Sequence, residues 1–147
     1  MSTEENKAVV HRYYDEVLNA GDIGTLDELA VAGYEEHDPL PGQAGGLAGF
    51  RQRVEILRSA FRPCFTVEDV VAEHDKVVVR WTNRGTHEGD FLGMPPTGKS
   101  FTMAGIDIHR LRDGKLAEHW HVVDLFGQLQ QLGLLSTPQA TGGSTDK

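Results

Sequence analysis

The strongest constraint on the fold lies between Phe101 and Val123. Residues 101–111 and 115–123 alternate in side-chain character with period two, and Arg112-Asp113-Gly114 between them is a turn signal. The pattern predicts an antiparallel hairpin. With a three-residue loop and Gly114 left-handed, Leu111 pairs with Lys115, Asp107 faces His119 and His109 faces Ala117. His121 is then a diagonal neighbour of Asp107. All four ionisable groups point to one face, while Ile106, Ile108, Leu116, Trp120 and Val122 share the other. A two-residue turn would break this register and set Asp107 against Trp120. One Asp and three His on a single sheet face do not read as an apolar core layer.

The remaining chain supplies what such a hairpin packs against. Ser2 and Glu5 have capping-box spacing, and Val10, Tyr13, Tyr14, Val17 and Leu18 recur at helical intervals until Asn19-Ala20-Gly21. Thr25 and Glu28 precede a short helix holding Leu26 and Leu29. The glycine-rich segment 42–49 leads to a third helix with Phe50, Val54, Leu57 and Phe61 on one stripe. Residues 65–73 and 76–86 read as strands, the loop GDFLGMPPTGKS follows, and 125–132 forms a closing helical turn. Helices followed by an antiparallel meander make an α+β order. The domain is expected over 1–133, with 134–147 a disordered tail.

A chain of 147 residues with 39% apolar content supports one core. A net charge of −8 argues against nucleic acid or anionic membrane as partner, and no apolar run reaches a membrane span. The N-terminus carries no secretory signal pattern, and the lone Cys64 fits a reducing cytoplasm. A hydrophobic small molecule is the expected partner.

Several segments together name a family. YYDEVLNAGDIGTLDEL, EEHDP at 35–39, VVVRWTNRGTHEGDFLGMPPTGKSF at 77–101 and DIHRLRDGKLAEHW at 107–120, continuing into DLFGQLQQLG, occur in one order up to Gly133. The sequence resembles SnoaL-like polyketide cyclases of the nuclear-transport-factor-2-like superfamily. That resemblance implies a cone, with N-terminal helices packed on a strongly curved antiparallel sheet around an internal pocket. It also implies a homodimer and a cofactor-independent cyclase of lyase or isomerase type. Ring closure in a polyketide-type intermediate would be aldol-like or, for a polyene, pericyclic and promoted by shape. An epoxide hydrolase or ketosteroid-isomerase-like enzyme, or a non-catalytic ligand-binding module, is the alternative on the same scaffold. Hydrolysis would favour a carboxylate with an arginine partner, which Arg110 does not supply in this register.

The candidate catalytic residues are Asp107, His121 and His119. A carboxylate beside an imidazole is a proton-transfer unit near neutral pH, and equally a structural pair on a solvated face. The resembled aldol-type cyclases carry His at the position of Asp107 and Asp at that of His121, so this chain holds the two residue types exchanged. His37, Tyr14 and Trp81 are the candidate substrate-binding residues. Each has a structural alternative: a turn before Asp38-Pro39 for His37, core packing for Tyr14 and Trp81. Asp124 reads as a helix cap. His87 is expected to be mobile at a strand end. His119 and His121, at i and i+2, have zinc-ligand spacing with Asp107 as third ligand. The resemblance implies no metal.

Overall fold

The structure is a computed structural model and describes residues 1–135. Its centre is set by strands whose alternation buries one face. In β3 (Lys76–Thr86), Val77, Val79, Trp81 and Asn83 point inward. In β4 (Ser100–Arg112), every odd residue from Phe101 to Leu111 does so. β2 (Cys64–Glu73) and β5 (Lys115–Val123) flank them. The helices α1 (Thr3–Arg12), α2 (Leu26–Leu29) and α3 (Gly46–Phe61) cover the inner face together with α4 (Leu125–Gln131). The expected capping box of α1 is present, Ser2 Oγ accepting from Glu5 N at 3.0 Å.

Two features depart from the expected antiparallel meander. Residues Ala30–Glu36 form a strand, β1, which adds to β5 in parallel and makes the sheet mixed, in the order β1-β5-β4-β3-β2. Its pairing shifts between Ala30 and Glu35, so it lacks the regular alternation that marks the other strands. The hairpin turn has two residues, not three. Asp113 (φ 51°) and Gly114 (φ 77°) are both left-handed, which is a type I′ turn, and Arg112 pairs with Lys115. A bulge at Ala117 then supplies the one-residue offset expected of the loop. Asp107 therefore lies opposite His121, and His109 opposite His119. The shared face of Asp107, His109, His119 and His121 survives. Leu116 moves to the core, fully buried beside Ala117, rather than to the outer face.

The chain after α1 winds as a π-helix over Tyr13–Asn19. The wider turn buries Tyr13 and Tyr14 side by side against the inner face of the sheet. His87 is fully buried against Phe61, contrary to the expected mobility. Its backbone N–H bonds Lys99 O and its C=O accepts from Gly98 N, each at 2.9 Å, so it pins both ends of the loop between β3 and β4. The expected tail begins at 134. Leu134 packs against the core, and 136–147 lie outside the described residues.

Trp81 crosses β4 at Gly105, its cross-strand partner. A Cβ at Gly105 would stand 2.3 Å from Trp81 Cζ2. Gly105→Ala is expected to lower stability by about 1–3 kcal/mol through overpacking. Gly33→Ala, where a Cβ meets nothing within 4 Å, should change it by less than about 0.5 kcal/mol. Urea denaturation of the two variants checks the contrast.

Candidate active site

The inner-face polar residues assemble into one buried chain of hydrogen bonds. His119 sits between two carboxylates: Nε2 lies 3.0 Å from Asp107 Oδ1, and Nδ1 lies 2.8 Å from Glu36 Oε1. Glu36 arrives from β1, whose parallel pairing sets it beside His119. Carboxylates only accept, so both ring nitrogens of His119 carry protons and the ring is an imidazolium. Burial alone would lower its pKa, but Asp107 and Glu36 outweigh burial and push it up to about 9. Burial would likewise raise the Asp107 carboxyl. The His119 charge, reinforced by hydrogen bonds, overrides this and holds it well below the usual carboxylate range. Glu36 is lowered in the same way.

The other Asp107 oxygen is also taken. Trp81 Nε1 donates to Oδ2 at 2.8 Å, and Tyr14 Oη donates to it as well. With its one proton committed, Tyr14 Oη must accept from His109 Nε2, 2.9 Å away. His109 is thus the Nε2–H tautomer, and its Nδ1 is left without a partner. It lies 3.8 Å from Asp107 but forms no ion pair: burial and the His119 charge lower its pKa to about 3.

Beside this network is a cavity of about 350 Å³, walled by Leu57, Phe61, Phe65, Phe91, Met103 and Leu129 among others. Its polar lining includes His121, Arg53, Asp38, Asn83 and Gln128. Of the sequence-predicted residues, His121 and Trp81 line it. Asp107, His119 and Tyr14 do not: they stand behind its wall, at 6%, 5% and 0% exposure. Tyr14, expected to meet substrate, is instead a donor to Asp107. His37 is also displaced from its expected place. Its ring stacks on Trp120 at 4.5 Å, and its Nε2 lies 3.0 Å from Glu118. Asp124 caps α4, accepting from Gly127 N at 2.9 Å.

His121 is the link between network and cavity. Arg53 Nη2 lies 3.5 Å from His121 Nε2, so this nitrogen presents its lone pair. Nδ1–H points toward Glu36 Oε2 at 3.9 Å without a hydrogen-bond partner. Asp38 Oδ2 accepts from the His121 backbone N–H at 2.8 Å and fixes the strand locally. Burial, the Arg53 guanidinium and the His119 charge all lower the His121 pKa below that of free imidazole. His121 is a neutral base facing an apolar cavity.

Arg53 and Glu36 escaped the sequence reading. Arg53 is four residues before Leu57 and eight before Phe61, and both of those line the cavity. That i, i+4, i+8 row was the available signal. Arg53 forms no ion pair with a carboxylate among the described residues, so the carboxylate–arginine pair of an epoxide hydrolase is not assembled here. Three ligand atoms from Glu36, His119 and His121 lie within 4.8 Å of one another, as do those of Asp107, His109 and His119. The zinc spacing noted on β5 thus converges on Glu36 rather than Asp107 for His121. The Glu36–His119 and His119–Asp107 contacts already balance charge through protons.

The SnoaL-like polyketide cyclase profile matches residues 8–132. The chain belongs to that family. It is 33% identical over 110 residues to aklanonic acid methyl ester cyclase DauD of Streptomyces sp. (strain C5), covering 74% of this chain and 66% of that protein. It is 33% identical over 127 residues to aklanonic acid methyl ester cyclase DnrD of Streptomyces peucetius, covering 80% and 86%. Among solved structures, TsrD from Streptomyces laurentii superposes with a TM-score of 0.84 at 31% identity, over 92% of this chain and 99% of that one. DauD and DnrD are named as cyclases, and the chain is an enzyme of that family with the fold of TsrD. No described helix is long and apolar enough to cross a membrane.

The charged network makes a stability signature. His119 gains stability from a folded pKa of about 9 against an ordinary 6.5. Because the folded value is raised, this contribution is complete below about pH 6.5 and is lost as pH rises through about 9. Asp107→Asn is expected to cost about 3–5 kcal/mol at pH 6, since it removes one partner of a buried pair. It should also flatten the fall in stability between pH 6.5 and 9. Denaturant titrations at several pH values measure both effects.

Proposed function

We propose that the protein is a cofactor-independent cyclase that closes a ring in a hydrophobic polyketide-type intermediate by an intramolecular aldol addition. The observation that carries this reading is the neutral His121 Nε2 at the cavity wall, 3.5 Å from the Arg53 guanidinium. A base and a cation at that spacing match a carbon acid, whose α-proton and carbonyl oxygen lie on neighbouring atoms. His121 Nε2 takes the proton from carbon, and Arg53 stabilises the enolate oxygen in a water-poor site. The enolate carbon then attacks a second carbonyl that the cavity holds within reach, forming the C–C bond. The new alkoxide recovers the proton from His121, so the product is an isomer of the substrate.

In this reading Asp107 is a positioning residue. It holds His119 as an imidazolium, and His119 with Glu36 fixes the electrostatics behind His121. The two residues exchanged relative to the aldol-type cyclases face each other across β4 and β5. The exchange leaves the histidine on the cavity side and the carboxylate in the wall. Aldol chemistry is favoured over a purely shape-promoted pericyclic closure, because the latter has no use for a guanidinium set against an imidazole lone pair in the cavity wall. The relatives' substrate, aklanonic acid methyl ester, is the first candidate substrate, and antibiotic biosynthesis the corresponding setting.

His121→Ala is expected to lower kcat for cyclisation of aklanonic acid methyl ester by about 10²–10⁴-fold, the usual contribution of a general base. The wild-type kcat/KM should rise with pH through a pKa below that of free imidazole. If wild type turns over neither this ester nor nogalonic acid methyl ester, for which a 31% identical cyclase of Streptomyces nogalater is named, or if His121→Ala retains full activity, the reading fails. Product formation by chromatography and mass spectrometry decides it.

The outer face of the sheet supports the homodimer. Ile106 and Val122, a cross-strand pair, are 47% and 77% exposed there, and the half-buried pair Ile108 and Trp120 continues the patch along the same two strands. Sedimentation at micromolar concentration should give twice the chain mass, and Val122→Glu should give the monomer.

A further inference from the structure

We infer that Asn83 and Gln128 form a second polar subsite in the cavity, which reads a hydroxyl group on the ligand remote from the carbon acid. This rests on the cavity being the substrate site. Asn83 is 4% exposed and Gln128 3%, and both line the cavity. The Asn83 Oδ1 is buried without a hydrogen-bond partner, and Gln128 is the other amide in the lining. A buried amide without a partner is destabilising, and an apolar residue of similar size would be better tolerated in a purely structural wall. The neighbours show how unusual this is. Phe61, Phe65, Phe91, Met103 and Leu129 are apolar, so a partner for an amide among them comes from what fills the cavity.

The fold brings the two amides to one end of the cavity. Met103 on β4 is the cross-strand partner of Asn83. Next to it, Thr102 is clamped by Gln131, whose side chain accepts from Thr102 N and donates to Thr102 O, both at 2.9 Å. That clamp seats the last turn of α4 over β4, and Gln128 is one turn earlier on the same helix. His121 belongs to the row Val79–Asp107–His121, four residues away from Asn83 along β3. At about 3.3 Å per residue along β3 and about 4.8 Å per strand across to β5, the two backbone positions are about 16 Å apart, and side chains reaching in from both ends leave a ligand on the order of 10 Å long. That is the length of two fused six-membered rings with a substituent at each end. An amide offers both an acceptor and a donor, and a hydroxyl satisfies either. The ligand class is therefore a flat, fused-ring ketone with an enolisable group at one end and a hydroxyl at the other.

The test uses 6-acetyl-2-naphthol and 2-acetylnaphthalene, which differ only in that hydroxyl, with affinities measured by calorimetry. Wild type should bind the hydroxylated compound about three- to tenfold more tightly, the net worth of one hydrogen bond. Asn83→Leu should lose that preference while binding 2-acetylnaphthalene at least as well, and its unliganded Tm should not fall. Gln128→Met should reduce the preference too, and serves if Asn83→Leu does not fold. His121→Ala should keep it, which separates the subsite from the proton chemistry. Equal affinities in wild type, or an unchanged preference in whichever of Asn83→Leu and Gln128→Met folds, would overturn the inference. So would a fall in the unliganded Tm of both, which would make the amides structural.

Discussion

The buried charges on the inner sheet face depend on one proton pair, the two N–H groups of the His119 imidazolium held between Asp107 and Glu36. Two carboxylates this deep cannot both stay ionised without a cation between them. The cation in turn needs both, because burial opposes its charge. Neither carboxylate comes from the same strand as His119. Glu36 requires β1 to pair in parallel with β5, and Asp107 requires the β4–β5 register set by the Ala117 bulge. Secondary structure and charge are thus mutually conditional. The register holds because the alternatives strand a charge, and the charge persists because the register holds.

The network reaches the cavity through one side chain. Asp107 is shielded by Tyr14 and Trp81, each of which spends its only polar hydrogen on the same oxygen. Those donors need their own support. The π-helical turn delivers Tyr14 to the sheet, and the missing Cβ of Gly105 admits the Trp81 ring. The buried network holds the Asp107 and Glu36 carboxylates around the His119 cation, with Arg53 and Asp38 at the cavity wall and His109 and His121 neutral. In the proposed mechanism the chemistry falls on a neutral imidazole that Arg53 touches at Nε2 and that the buried carboxylates tune from behind the wall.

Much of this was legible in the sequence, and the residues show why. The strict alternation of β3 and β4 announced both strands, and the shared face of Asp107, His109, His119 and His121 was expected from parity together with a one-residue offset placed in the loop. The turn length did not follow. Asp113-Gly114 forms a two-residue turn, and the bulge that corrects the parity falls at Ala117, where no glycine or proline marks it. β1 was invisible because Ala30–Glu36 is a short, irregular strand with Gly33 inside it. Glu36 was lost with it, and so was half of the cradle for His119. Tyr14 and Trp81 were singled out, but periodicity reports only that a side chain points inward. Whether inward means the cavity or the wall behind it depends on neighbours from distant strands. His37 failed for a related reason: EEHDP marks a functional segment, but the residues that reach inward are Glu36 and Asp38, on either side of it.

The separation of charge from cavity has a chemical consequence for the base itself. A histidine hydrogen-bonded directly to a carboxylate becomes more basic, as His119 does. His121 has Glu36 only at 3.9 Å and faces two cations, Arg53 and His119. Its basicity is weakened, so a strongly held α-proton would be beyond it unless the enolate is stabilised at the same moment. In the proposed aldol reaction Arg53 would supply that stabilisation from the position that weakens the base. When negative charge develops on a carbonyl oxygen beside it, the guanidinium is partly neutralised and the imidazolium forming at His121 is repelled less. The unfavourable term in the resting site becomes a favourable one as the proton moves, which is how a fixed cation discriminates between ground state and transition state. A closer carboxylate at His121 would give a stronger base but forfeit that discrimination, because the anion would already have neutralised the field that the enolate needs.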